Sequence, residues 1–191
     1  MKRTILFLFL VIFIGCKKEN DIPVRKTASK TFFDFDQIEY YKVAVSNAEI
    51  GKLSEPPKAK GGSEKVAKNE LLKNYILFGY PEIINESEIN SFFKLVKYEK
   101  IEIDRKYFDI LKSKIFTEKD CNYDQDMIPA IVPFYKDFFI FKKEHKVIGF
   151  VKLNSNGPFM HIVIGTKNDT RCLGQNDEIL YLEKILKTKL N

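Results

Sequence analysis

From residue 32 onward apolar and polar positions follow two different periods, and the changes of period divide the chain into elements. Residues 38–45 (IEYYKVAV) are rich in β-branched and aromatic side chains and predict a strand with Tyr41, Val43 and Val45 on one face. Ser46-Asn47 marks a turn, and residues 54–63 (SEPPKAKGGS) join Pro56-Pro57 to Gly61-Gly62 in a loop within one domain. A helical period follows. Ser63 is placed to cap a helix reaching Phe78, with Gly79 and Pro81 beyond its end. Asn85, with Glu88 three residues on, opens a short helix carrying Ile89, Phe92, Phe93 and Val96. Asp104 opens a third, to about Phe116, with Tyr107, Phe108, Leu111 and Ile115 at helical spacing. Connections this short predict a packed helical cluster.

After Pro133 the period returns to that of strands. Residues 137–142 (DFFIFK), a turn at Glu144-His145 and residues 146–153 (KVIGFVKL) predict a hairpin. A second turn over 154–158 leads to a strand over 159–164 (FMHIVI). Asn176-Asp177 then caps a terminal helix whose Ile179, Leu182, Ile185 and Leu186 form one apolar stripe. These elements predict one α+β domain over residues 31–191. Its mainly antiparallel sheet combines the N-terminal strand with a C-terminal three-strand meander, packed with the central helical cluster and the C-terminal helix. There is no internal repeat.

The first residues follow a different logic. Met1-Lys2-Arg3 is a short basic start, the run 5–14 is wholly apolar, and Gly15 directly precedes Cys16. Such an order is that of an export signal, and the run is shorter than the roughly 20 residues needed to span a bilayer. Phe13-Ile14-Gly15-Cys16 resembles the lipobox of bacterial lipoproteins, with Phe13 where Leu is commoner. That resemblance implies a signal peptide over 1–15 and acylation of Cys16. It also implies attachment to the bacterial cell envelope, on the periplasmic side or the cell surface, by more than one chain, which holds stably. Residues 16–30 read as a flexible tether without apolar periodicity.

The formal charge of +6 changes little once it is located. Lys2 and Arg3 belong to the leader. In the tether, Lys17, Lys18, Arg25, Lys26 and Lys30 face only Glu19 and Asp21. The folded part has both signs interspersed, so the basic face expected of a nucleic-acid binder is missing and nucleic acid is not an expected partner. Cys121 and Cys172 remain after Cys16. In an oxidising envelope they can bridge, closing a loop of about 50 residues, or stand as two separate buried thiols.

Candidate chemistry is sparse. Asp120, Asn122, Asp124 and Asp126 alternate like calcium ligands, but the EF-hand positions for Gly and Glu hold Gln125 and Ile131. A polar loop is the simpler reading. His145 falls at a hairpin tip; His161 shares a strand face with Phe159 and Val163, the place of a half-buried, hydrogen-bonded histidine. There is no HExxH, GxSxG, CxxC or phosphate-cradling glycine loop, and no cofactor is expected. Asp34, Asp36 and Asp137 are the one carboxylate set that strand pairing can bring together for acid–base work. Phe138, Phe139, Phe141 and Phe150 read as core rather than a stacking platform.

The segments Phe134-Tyr135-Lys136-Asp137, Ile164-Gly165-Thr166 and Leu173-Gly174-Gln175, together with the hairpin, loosely resemble a family of uncharacterised small bacterial lipoproteins. Asn154-Ser155-Asn156-Gly157 stands where that pattern carries cysteines. The resemblance implies the fold and no activity. The expected function is that of a lipid-anchored binding or interaction module, meeting an envelope protein through an exposed Phe/Tyr patch. The alternatives are an envelope hydrolase using a carboxylate pair, with His161 as an outside candidate, and an inhibitor or immunity-type protein.

Overall fold

The computed structural model describes residues 30–55, 63–121, 133–154, 160–175 and 177–190. Cys16, nearly all of the tether, the ligand candidates Asn122, Asp124 and Asp126, most of the second turn and the cap residue Asn176 lie outside them. Five antiparallel strands form one sheet in the order β2-β1-β3-β4-β5. They are β1 (Gln37–Val43), β2 (Tyr98–Glu102), β3 (Asp137–Lys143), β4 (Lys146–Asn154) and β5 (Met160–Ile164). Helices α1 (Asn47–Ser54), α2 (Ser63–Leu77) and α3 (Glu86–Leu95) precede β2, and α5 (Glu178–Leu190) closes the chain. The protein is α+β, as its pattern predicts.

Both faces of the sheet are covered, because alternate residues of β1, β3 and β4 are apolar on either side. On the first face Ile38, Tyr40, Phe139, Phe141, Val151 and Leu153 pack with Leu182 and Ile185 of α5 and with Leu111, Ile115 and Phe116. On the second, Tyr41, Val43, Phe138, Ile140 and Phe150 pack with Tyr75 and Ile76 of α2 and with Ile89, Phe92 and Phe93 of α3. Each of these large side chains contributes about 1.5–3 kcal/mol on full burial. Aromatic contacts knit the second face: Tyr75 stacks on Phe92 at 4.4 Å between centroids, and Tyr41 on Phe93 at 4.2 Å. Phe138, Phe139, Phe141 and Phe150 are fully buried, in the core as expected.

The hairpin turn places Glu144 (φ 50°) and His145 (φ 66°) in the left-handed region, the geometry that matches the twist of two strands joined tightly. Gly149 on β4 meets the Phe33 ring so closely that a Cβ would collide with it.

Three features depart from the sequence reading. Residues 47–54 form a helix, not a turn followed by loop: Ser46 Oγ accepts from the Glu49 N–H at 3.3 Å while Glu49 Oε2 accepts from the Ser46 N–H at 2.8 Å. This capping box stands in the sequence as Ser-x-x-Glu, but α1 buries no residue completely, and its apolar contact is confined to the half-buried Ile50 and Leu53. Second, β2 interrupts the expected helical cluster. Its residues are mostly exposed at a sheet edge, paired with β1 alone, so its alternation is hidden. Third, the helix expected over 104–116 is a composite. A 3₁₀ turn (Arg105–Tyr107), a single α turn, α4 (Phe108–Ile110), and a π turn (Leu111–Ile115) follow one another. Asp104 does not cap it with its side chain; its carboxylate lies 3.6 Å from Lys106 Nζ instead. The π turn, closed by Phe116 N–H to Leu111 O at 2.7 Å, leaves Leu111, Ile115 and Phe116 all buried on the first face.

The start of α5 is moored from two sides. Cys121 and Cys172 form a disulfide with Cα atoms 5.6 Å apart, and the buried Glu178 carboxylate is ion-paired with Lys119. The N-cap expected here includes Asp177; α5 itself begins at Glu178, with Leu182 and Ile185 of its predicted stripe buried and Ile179 and Leu186 packed beside them. No helix among the described residues is long and apolar enough to cross a membrane.

Candidate binding site

A buried charge needs a partner, and its surroundings show whether it serves folding or a ligand. Lys152 on β4 is fully buried on the second face. Its ammonium donates to the carbonyls of Tyr75 at 2.9 Å and Tyr80 at 2.6 Å and to that of Phe78, and lies 4.5 Å from the Tyr135 ring centre. Burial pushes its pKa down to about 7, while three carbonyl acceptors at the end of α2 favour the charged form. With all three protons bonded, Lys152 is a pin between helix end and sheet. Glu39 on β1 is likewise consumed: it accepts from Lys100 Nζ at 2.7 Å and the Tyr41 hydroxyl at 2.9 Å, with Lys142 Nζ at 3.0 Å. Burial opposes its ionisation, but those bonds outweigh it and its pKa is lowered.

The three aspartates singled out in the sequence do not converge. The Asp36 N–H bonds the Lys142 carbonyl at the far end of β3, whereas Asp137 begins that strand opposite Lys42. Seven residues at roughly 3.4 Å each put the two ends about 20 Å apart. Asp34 is exposed and ion-paired with Lys143 and, at 3.5 Å, Lys112; the Lys143 hydrogen bond leads in lowering its pKa. Asp36 accepts from the Glu144 N–H at 3.0 Å, anchoring the hairpin tip. A glycosidase-type pair needs its carboxyls within roughly 5–9.5 Å. Neither Asp34 nor Asp36, both at the hairpin-tip end of the sheet, can therefore form such a pair with Asp137 at the other end.

His161 lies half-buried on the first face of β5, its pKa lowered by burial, with a hydrogen bond to the Thr170 backbone. His145 occupies the hairpin tip. Asp120 is the one member of the acidic loop within the described residues, and among these no cluster of three or more His, Cys, Asp or Glu can hold a metal ion. Among the described residues, the aromatics more than a third exposed are Phe78, Tyr98 and Tyr181, on three separate segments.

Asp137 differs from the other two aspartates because it is buried and opens onto a cavity. A cleft of about 250 Å³ lies between α5 and the first face of the sheet. Tyr40, Phe139 and Leu153 form its sheet wall, and Ile179, Leu182 and Leu186 its helix wall. At the floor the Tyr40 hydroxyl donates to Asp137 Oδ1 at 2.5 Å. Burial, then the Asp137 charge, pushes the Tyr40 pKa far above its usual range, so the hydroxyl keeps its proton and orients the carboxylate. Lys42, Glu183 and Lys187 stand at the rim, the last two ion-paired at 3.2 Å.

No family model, curated protein or solved structure matches this chain. The cleft therefore stands on its own geometry.

Of its polar groups the sequence reading singled out Asp137 alone, and for a different partnership. Tyr40 was missed because a tyrosine in a strand reads as core. Lys152 offered the clearer signal: a lysine in the middle of an apolar strand buried on both faces must find acceptors.

Proposed function

We propose that this protein is a lipid-anchored envelope protein whose folded domain acts by binding. The Gly15-Cys16 junction after a basic and then apolar leader supports the anchor. The observation that carries the binding reading is the cleft beneath α5. Its walls are largely apolar, and they carry the hydrogen-bonded Tyr40–Asp137 pair, a mixture found in small-molecule sites in general. The dispersed charge of the folded part supports a partner other than nucleic acid. The anchor is tested by labelling cells with an alkyne-bearing palmitate analogue. Label on the wild-type protein and none on Cys16→Ser supports it; equal labelling of both sinks it. Binding is tested with the full-length protein in detergent micelles, by screening small amines, alcohols and carboxylic acids for methyl NMR shifts at Ile179 and Leu182. Failure of every class to move these signals would remove the cleft as the working surface.

A further inference from the structure

We infer that two copies of this chain associate along the outer edge of β2, antiparallel about Ile101, so that Lys100 of each copy stands opposite Glu102 of the other. This surface is separate from the cleft beneath α5, and the partner is the chain itself.

The ladder sets which groups face outward. The Ala44 N–H bonds the Lys97 carbonyl at 2.8 Å and the Ile103 N–H bonds the Ile38 carbonyl at 3.1 Å, so the odd-numbered residues of this segment turn their backbone groups toward β1. Bonding alternates along an antiparallel pair, which turns the N–H and C=O groups of Tyr98, Lys100 and Glu102 away from β1. β2 ends the sheet, and among the described residues no strand pairs with its outer side. The strand contains no proline and runs in unbroken register with β1; all its side chains are exposed except that of Ile101, which is half-buried.

Charge then selects the partner and the register. Charged side chains on an edge ordinarily guard it against a second strand. Here they change sign along the strand, and so they exclude particular registers instead. A two-fold symmetric pairing that keeps outward groups opposite outward groups is centred on a single residue. Centred on Glu99, Lys100 or Glu102, it sets a charge against its like; centred on Tyr98, each strand runs past the end of the other. Centred on Ile101, it sets Lys100 against Glu102 twice and isoleucine against isoleucine. Glu102 already faces the Glu39 carboxylate across the β1–β2 pair, and a lysine arriving on its outer side offsets that like charge. Lys100 donates to Glu39 at 2.7 Å and, with three protons, can serve a second carboxylate. Each Lys100–Glu102 pair exchanges backbone N–H···O bonds in both directions, joining two five-stranded sheets into one. The contact is narrow, so the dimer is reversible and depends on concentration.

Sedimentation equilibrium of the full-length chain in density-matched detergent micelles reads its mass. A monomer–dimer equilibrium is expected for the wild type. Glu102→Lys and Lys100→Glu each turn both cross-pairs into like charges, and each is expected to weaken association at least tenfold. Their equimolar mixture restores opposite signs at both pairs and is expected to dimerise about as well as the wild type. Glu102→Pro removes an outward N–H while leaving the Lys100–Glu39 contact, and is expected to be monomeric. A wild type that is monomeric throughout overturns the proposal and leaves the edge to a strand of another protein. Dimers undiminished by Glu102→Lys and Glu102→Pro also overturn it, since they form elsewhere. A mixture no more dimeric than its components overturns the Ile101 register and the proposal with it. Should Lys100→Glu, which also loses the Glu39 contact, not fold, the two Glu102 variants decide.

Discussion

The Lys152 ammonium donates to the Tyr80 carbonyl at 2.6 Å, joining the middle of a buried strand to the segment just beyond the end of α2. The same nitrogen holds the carbonyls of Tyr75 and Phe78, so one side chain satisfies two acceptors at the end of α2 and a third beyond it. Replacing it with Met keeps the length and removes every donor. Lys152→Met is expected to lower stability by roughly 2–4 kcal/mol, the scale of orphaning buried carbonyls. Urea unfolding measures it; a change below about 0.5 kcal/mol, the level of an ordinary surface substitution, would show the pin to be dispensable.

Acid should loosen the sheet edge through Glu39. Its folded pKa is lowered from 4.5 by the hydrogen bonds of Lys100, Lys142 and Tyr41, which prevail over burial. The stability it contributes is therefore present above pH 4.5 and is lost as pH falls through the lower, folded value. Glu39→Gln is expected to be less stable than wild type near neutral pH, and the difference should narrow steadily below pH 4.5. Stability measured across that range by denaturant titration checks this; a constant difference would rule the linkage out.

The disulfide between Cys121 and Cys172 spans 51 residues and holds the approach to α5. In the chain-entropy account a loop of that length contributes about 4 kcal/mol. Paired Cys121→Ser and Cys172→Ser substitutions are expected to lower the urea midpoint accordingly. Thiol counting on the unfolded wild type should find neither cysteine free until a reductant is added.

The capping box of α1 predicts a smaller, local effect. Ser46→Ala removes the hydroxyl that accepts from Glu49 N–H and should cost about 1 kcal/mol. Because α1 meets the core only through the half-buried Ile50 and Leu53, amide hydrogen exchange is expected to speed up in Asn47–Ser54 while the β3 and β4 amides stay protected. Equal acceleration throughout would mean that α1 is coupled to the core.

Close packing at Gly149 gives a fourth kind of test. A methyl group there would press on the Phe33 ring, which is itself buried, so Gly149→Ala is expected to destabilise by about 1–3 kcal/mol. The companion change Phe33→Leu should recover part of that loss, since it opens space at the same contact. Purely additive effects in the double mutant would place the strain elsewhere.

The sequence by itself determined the features set by neighbours a few residues apart. The β3–β4 hairpin and its turn at Glu144-His145, the Asn85 cap of α3, and the apolar stripe of α5 are all local, and all appear. It also decided that Phe138, Phe139, Phe141 and Phe150 would be core, because strands this apolar have nowhere else to go. What it left to the tertiary structure depends on residues far apart. Tyr40 and Asp137 are 97 positions apart, and Lys152 and Tyr75 are 77 apart; their meetings follow from strand order and helix placement. Edge strand β2 is visible only once β1 lies beside it, since an exposed strand with charged side chains has no buried face to impose alternation. The same holds for the aspartates. Pairing direction alone sends Asp36 and Asp137 to opposite ends of the sheet, and places one carboxylate beneath α5 where water is largely excluded.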